Sequence, residues 1–393
     1  MKGGNTMRKP LEGIKVLELG NFVAAPFAGK IFGEFGAEVI KVEDPNKGDS
    51  LRNWRVMHNG TSLWWYVHAR NKKSITLNLR EEEGQEMVRE LAKDADVIIE
   101  NFRPGTLEKW GIGYEDIKKI NPSIIMTRIS GYGQTGPYRN KVGFGSVAES
   151  MGGLRYLTGF PDRPPVRVGL AVGDSIAGLY AVNGTLMALR ARDNDPLKRG
   201  QYVDVALTEA VFSLLEGVLP EYDLKGIIKE RTGATLEGIA PSNTYICADG
   251  KYIVIAANSD SIFKRFAHAI GRPDFAGNPT YLTNNGRAEN AEYLDQVIEE
   301  WTRKHSQKEV QKILDEAGVP VGPIYNIEDI VRDEHYQARD MLQTVTLPDG
   351  EQVLVPGIVP KLSETPGSIE WIGPELGQHN EEVLGGKKLN QQK

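Results

Sequence analysis

Cysteine is almost absent from this 393-residue chain: Cys247 is the single one. One thiol cannot close an intrachain disulfide or build a thiolate metal cluster, so a reducing compartment suits the protein. The histidines (His58, His68, His268, His305, His335 and His379) show no metal-ligand spacing, and no metal is expected. Long apolar runs are missing too. No stretch of about twenty apolar residues occurs, and "MKGGNTMRKPLEG" at the start contains no apolar signal region. A cytoplasmic protein with no membrane partner is the expectation, and Met7 is a candidate second start. Basic charge is not in excess. A formal net charge of −6 argues against nucleic acid as a partner, so an anionic substrate needs a local basic pocket. Internal repeats, low-complexity tracts, a P-loop, an HExxH pair and a nucleophile elbow are all absent.

What is present reads as an ordinary globular α/β protein, with 40% hydrophobic and 25% charged residues. Its length exceeds what one core usually supports, so two domains are expected. "IKVLEL", "AEVIKVE", "SITLNL", "DVIIENF", "SIIMTRISGYG" and "GQYVDVAL" are short apolar strands, and helical segments such as "APFAGKIFGEFG" and "EEEGQEMVRELAKDA" alternate with them. Such alternation predicts a parallel sheet with ligands beyond the carboxyl ends of its strands. The loops "GNFVAAP", "EDPNKGDS", "ENFRPG" and "GYGQTGPY" therefore matter most. The first loop lacks the three glycines of a dinucleotide fingerprint, which argues against a nicotinamide or flavin enzyme. An apolar helix "EAVFSLLEGVL" follows the last strand. Then come a hairpin turning at Asp249-Gly250, helices near 260–270 and 287–304, and a helix opened by Ser306 and Glu309 at capping-box spacing. A helix near 327–342 and a second D-G hairpin, "QTVTLPDGEQVLVPG", complete the pattern. The expected division is a large domain over 1–222, a smaller α+β domain over 223–327, and a segment 328–393 that returns to the large domain.

Chemistry must then rest on carboxylates and basic residues. "GLAVGDSIAG" sets Asp174 among glycine, alanine and aliphatic neighbours just before a helical stretch. Two roles are open from the residues themselves. Asp174 can cap that helix, or act as a nucleophile, already ionised at neutral pH and placed where backbone N–H groups stabilise an oxyanion, and the two roles are compatible.

The ordered motifs "PLEGIKVLELGNFVAAPFAGKIFGEFGAEVIKVEDPNKGDSLR", "NKKSITLNL", "ADVIIENFRPGTLEKWGIGYEDI", "RISGYGQTGPY", "VGDSIAGLYAVNGTLMAL", "GQYVDVALTEA" and "AGVPVGPIYNIEDI" resemble the class III CoA-transferases, the CaiB/BaiF family. The likeness runs from about residue 10 to 385. It implies a Rossmann-like parallel-sheet large domain, a smaller α+β domain and an interlocked homodimer. It also implies CoA transfer from an acyl-CoA donor to a carboxylic acid, with Asp174 as the nucleophile and no tightly bound cofactor. CoA or acyl-CoA is then a substrate. Its contacts, carried over from the formyl-CoA transferases, fall on Val23, Ala24, Asp44, Leu77, Asn78, Leu79, Arg80, Asn101, Phe102, Arg103, Lys109, Val142, Gly143, Phe144 and Gly145. Arg80, Arg103 and Lys109 are the cations for the CoA phosphates. Asp44 departs from the basic residue at its place in those enzymes, and Lys47 is its substitute.

Other departures narrow the activity. The formyl-CoA transferases carry a glycine run where this chain has "TGATLEGIAP", which implies a different acid. The racemase branch uses a His-Asp pair where this chain has Phe144 and Gly145, so transfer is favoured over racemisation. An acyl-CoA racemase and a non-catalytic CoA-binding protein remain the alternatives. Arg52, Trp54, Trp64, Trp65 and Tyr66 lie near the first loops, with core packing the plainer role for the aromatics.

Overall fold

The structure is a computed structural model and describes residues 8–385. Met7 and the outer ends of the expected first and last segments lie outside the described residues. The chain divides into two compact units: one runs up to Arg155 and takes in Arg167–Gly226 and everything from Arg339 on, and the other comprises Tyr156–Val166 and Ile227–Ala338.

The first unit opens with β1 (Lys15–Glu18), α1 (Ala24–Glu34), β2 (Glu38–Glu43), the small hairpin β3 (Met57–His58) and β4 (Thr61–Ser62), α2 (Leu63–His68) and β5 (Lys72–Thr76). It continues with α3 (Glu82–Ala92), β6 (Val97–Glu100), α4 (Thr106–Lys109), α5 (Tyr114–Ile120), β7 (Ile125–Ser130), α6 (Gly145–Met151) and the long α7 (Val172–Asn194). β8 (Tyr202–Ala206), α8 (Leu207–Phe212) and α9 (Val218–Lys225) follow. Among the described residues the main sheet has six strands in the order β5-β2-β1-β6-β7-β8, all parallel. The expected α/β architecture is therefore present.

Strand periodicity explains the layers. Val16, Val97, Ile99 and Ile125 point to the side covered by α1 and α7, whereas Leu17, Ile98 and Met126 point to the side covered by α3 and α5. Because both faces are covered, β6 and β7 are buried along their whole length and read in sequence as continuous apolar runs.

The second unit holds an antiparallel sheet, β11-β10-β9, built from β9 (Ser242–Ile246), β10 (Tyr252–Ala256) and later β11 (Val321–Pro323). Its helices are α10 (Asp260–Ala269), α11 (Pro273–Gly277), α12 (Asn284–Glu289), α13 (Ala291–Thr302), α14 (Gln307–Glu316), α15 (Ile327–Arg332) and α16 (Glu334–Ala338). Phe263, Phe266, Leu294, Ile298, Val310 and Leu314 form its core against Tyr245 and Ile253. The Ser306–Glu309 capping box is formed in full. The first unit then resumes with the hairpin β12 (Leu342–Thr346) and β13 (Gln352–Pro356), and with α17 (Asn380–Leu384).

Three expected helices are interrupted. "EAVFSLLEGVL" spans two helices, α8 and α9, broken where Glu216 takes a φ of 51°, a left-handed conformation that no continuing helix accommodates. The helix expected over 287–304 is divided at Asn290, and that over 327–342 at Asp333, whose ψ of 122° is extended and whose side chain accepts the backbone N–H groups of His335 and Tyr336. No helix of the described residues is long and apolar enough to cross a membrane.

Candidate active site

Three loops leave the carboxyl ends of the central strands β1, β6 and β7, and they are fastened to one another. After β1 and β6, the Asn101 amide bonds both backbone groups of Asn21, donating to its carbonyl at 2.7 Å and accepting from its N–H at 2.8 Å. The chain after β7 folds back on itself so closely that a Cβ on Gly131 would lie 2.6 Å from the Gly143 Cα. Arg103 donates to the Asn140 carbonyl at 2.7 Å, which joins the β6 loop to the segment before α6. Phe22 holds a φ of 66°, unusual for a residue with a Cβ; its N–H donates to Asp49, and its ring meets Phe144 edge-on at 6.0 Å.

Helix α6 leads from this junction to the start of α7. Gly145, its first residue, has no side chain because there is no space for one: a Cβ there would sit 2.0 Å from Asp174 Oδ2. One turn later, Glu149 is buried at 1% exposure, and its Oε1 accepts the Gly173 N–H at 3.2 Å. Glu149 therefore satisfies one of the free amides that open α7. The cap expectation for Asp174 is corrected by this geometry. The N-cap position belongs to Ala171, Asp174 is the third helical residue, and no side-chain cap bond is made from the N-cap. The small residues of the motif let α7 pack closely: Gly178, for instance, lies against α1, where a Cβ would be 2.7 Å from the Phe27 ring.

The electrostatics of Asp174 follow from that packing. Burial is the main influence and the Glu149 charge the second, and together they push the Asp174 carboxyl up to about 6 against the weaker pull of Arg167. Burial and the Glu149 charge thus leave Asp174 more basic than a free aspartate, although it stands in the first turn of a helix. Among the described residues, Arg167 donates to carbonyls of its own segment, those of Val168 and Leu170, at 3.3 and 3.4 Å.

The remaining expected contact residues fall into groups. Arg103, Phe144 and Gly145 line the junction and Asn101 ties it together, whereas the Phe102 ring packs on Trp110 at 5.4 Å over the core beneath. Val142 and Phe144 are exposed, at 72% and 47%. Val23 and Ala24 begin α1 and are buried, so they offer the junction backbone rather than side chains. Leu77, Asn78, Leu79 and Arg80 follow β5; the two leucines pack on the core below, and Arg80 is exposed. Lys109 ends α4, also exposed. Asp44 folds onto its own turn, accepting the N–H groups of Asn46 at 2.8 Å and Lys47 at 3.1 Å. No contact recorded among the described residues brings Asp44, Arg80 or Lys109 to Asp174.

Among the aromatics, Trp65 is core at 1% exposure, stacked under Arg52, which pairs with Glu43 at 2.8 Å. Trp54 instead lies between Phe22 at 5.1 Å and Trp64 at 6.4 Å, and all three pack in one cluster with Ala171 at the start of α7.

Two supporting acids were not visible beforehand. Glu149 lies in "GFGSVAES", where its distance of four residues from Gly145 on a helix was the available signal. Glu100 is buried at the end of β6; its Oε2 accepts the Phe102 N–H at 2.8 Å and its Oε1 the Arg128 Nε at 2.7 Å, which anchors the loop. Burial raises Glu100 to about 7 despite Arg128. Sequence spacing also concealed one histidine–acid group, in which half-buried His58 Nε2 meets Asp349 Oδ2 at 2.5 Å with Glu351 beside it. The imidazole–carboxylate pair accounts for that grouping without a metal.

Comparison with known proteins bears on the family. The description "CoA-transferase family III" matches residues 11–380. A succinyl-CoA–D-citramalate CoA-transferase of Chloroflexus aurantiacus is 50% identical over 377 residues, covering 96% of this chain and 93% of its own. The succinyl-CoA:glutarate CoA-transferase of Homo sapiens is 34% identical over 377 residues, with 96% and 85% covered. The crystal structure of a CaiB/BaiF family protein from Brucella suis superposes with a TM-score of 0.84 at 34% identity, covering 96% of this chain and 99% of that one.

Proposed function

The chain belongs to CoA-transferase family III and is an enzyme of that class, and from that premise we propose that it passes CoA from an acyl-CoA donor to a dicarboxylic acid through covalent intermediates on Asp174. One observation carries the reading: a half-buried carboxylate stands at the start of α7, against a glycine that leaves its oxygens room, with no hydrogen-bonded cation among the described residues to quench it. The relatives named for succinyl-CoA with citramalate, malate or glutarate support a dicarboxylate substrate.

The steps balance without an external reactant. A carboxylate oxygen of Asp174 attacks the donor thioester carbonyl, the C–S bond breaks, and a mixed anhydride forms with free CoA thiolate. The thiolate then attacks the Asp174 carbonyl, expels the donor acid and leaves an aspartyl-CoA thioester. An acceptor carboxylate attacks that thioester to form a second anhydride and free thiolate. Attack of the thiolate on the acceptor carbonyl yields the new CoA ester and restores Asp174. Each carbonyl changes only its acyl partner, so the thioester's free energy is conserved.

CoA itself we assign to the loops after β1, β5 and β6 and to Val142–Gly145, with Arg80, Arg103 and Lys109 receiving phosphate charge. Asp44 is left out of that set because its carboxylate is already engaged by Asn46 and Lys47. Racemisation requires a base facing the α-carbon from the α6 side, and the place beside Asp174 is held by Gly145. A homodimer, interlocked as the family resemblance implies, accords with the exposed apolar residues Leu179, Tyr180 and Met187 on α7 and Leu219 and Leu224 on α9.

The test uses an acceptor acid whose carboxylate oxygens are isotopically heavy. Each turnover by this route leaves one acceptor oxygen in the Asp174 carboxyl, and peptide mass spectrometry reads it. Product formation with no heavy oxygen at Asp174 excludes the covalent route.

A further inference from the structure

Two carboxylates with no strong cation between them occupy the α6–α7 corner. Burying an acid in such company is unfavourable unless its hydrogen bonds compensate. Glu149 makes one such bond to the Gly173 N–H, and its ion-pair partner among the described residues is Arg155, whose guanidinium stands 3.5 Å away. Four residues apart on α6, Gly145 and Glu149 share one face. The first clears space for the Asp174 carboxylate, and the second fastens the backbone one residue before it.

We propose that Glu149 is the positioning residue of the nucleophile: it caps α7 at Gly173, which leaves the Asp174 carboxylate uncommitted beside Gly145, and it places a second negative charge next to it. This rests on the reading of Asp174 as nucleophile given above. An acid in the first turn of a helix is ordinarily drawn onto the free amides there and held as a poor nucleophile. With Glu149 on Gly173, that bond is already taken.

The second charge acts in the same direction. Glu149 from α6 and burial both favour the protonated form of Asp174, and Arg167 from the segment before α7 opposes them. The charges on the other elements packed on α7, namely Lys30 and Glu34 on α1, Glu209 on α8, Arg128 on β7 and Asp204 on β8, are not among the influences that set that balance. A carboxylate that is more basic yet still ionised at neutral pH attacks a thioester faster, because nucleophilic rate rises with basicity.

Two substitutions separate the charge from the cap. Glu149→Gln keeps an oxygen for the Gly173 N–H and removes the charge, and Glu149→Leu removes both. Carbon-13 carboxyl NMR of the full-length, Asp-labelled protein follows the titration of Asp174, with Asp174→Asn identifying its resonance. The expected midpoint is about 6 in the unaltered protein. It falls by about one pH unit in Glu149→Gln, the scale of a nearby like charge. The acid limb of Asp174 acylation by an acyl-CoA moves down with it, and the acylation plateau drops about threefold through the dependence of rate on basicity. Glu149→Leu shows the same shift together with a lower melting temperature. If the unaltered Asp174 is never acylated by any acyl-CoA, the nucleophile reading and this role fall together. If it is acylated but neither the NMR midpoint nor the acid limb moves in Glu149→Gln, this role alone is overturned.

Discussion

Glu18 and Asp174 are both carboxylates pressed against glycines, at opposite ends of an electrostatic range. A Cβ on Gly29 would fall 1.8 Å from Glu18 Oε2, much as one on Gly145 would fall 2.0 Å from Asp174 Oδ2. Glu18, wholly buried on β1, is answered by cations: Lys72 lies 2.7 Å away and Lys41 3.2 Å away, and Lys41 also holds Asp49 at 2.7 Å. Burial opposes the Lys41 charge, but Asp49, Glu18 and Glu43 together hold its ammonium above the usual value. Lys72 feels burial more and is lowered to about 8. At Asp174 the nearest influential charge has the same sign, and the carboxyl is raised to about 6. Glycine in each case makes room for an acid. The counter-charge distinguishes an acid that holds the sheet together from one free to react.

The comparison can be broken at either end. Asp174→Asn is expected to reduce transfer by about a thousandfold or more, as loss of a nucleophile does, while acyl-CoA still binds; steady-state rates beside equilibrium binding check it. Glu18→Gln leaves Lys72 and Lys41 short of a partner inside the protein. Denaturant unfolding should show a loss of about 3–4 kcal/mol, the scale for breaking a buried pair. Gly145→Ala puts a methyl where the Asp174 carboxylate lies. Displacing the proposed nucleophile should lower kcat about a hundredfold with little change in melting temperature.

Stability against pH sharpens the contrast further. Because the folded-state value of Asp174 lies above its ordinary value of 3.8, its contribution is fully present below that value and is lost as pH rises through about 6. Asp174→Asn escapes that loss, so it should be the more stable protein by ~3 kcal/mol at pH 8 and equal to the original below pH 3.8. Thermal melts of the two across that range decide the sign. The smallest effect is expected at the surface, where Arg103→Ala should raise KM for the CoA ester about tenfold and leave kcat nearly unchanged.

The sheet was legible from the sequence because its strands are buried on both faces and stand out as apolar runs such as "VIIE" and "IMTRIS". Both D-G hairpins and the Ser306 capping box were legible for a similar reason, since turn and cap chemistry is local. Helix interruptions at Glu216, Asn290 and Asp333 were not, because an apolar pattern continues across a break that backbone conformation decides. Within the site, "GDS" announced Asp174, but its true place in the third helical position depended on Glu149, an acid from another helix. Charge placed across space leaves no periodic mark in a sequence, and the Glu100–Arg128 anchor was hidden in the same way.

The most direct test of the central claim is hydroxylamine trapping. The protein is incubated with a series of acyl-CoA esters, including succinyl-CoA, and its peptides are examined by mass spectrometry. The account predicts a hydroxamate at Asp174 when a donor ester is present and none without it. A protein that binds these esters yet leaves Asp174 unlabelled with every one of them would contradict the account.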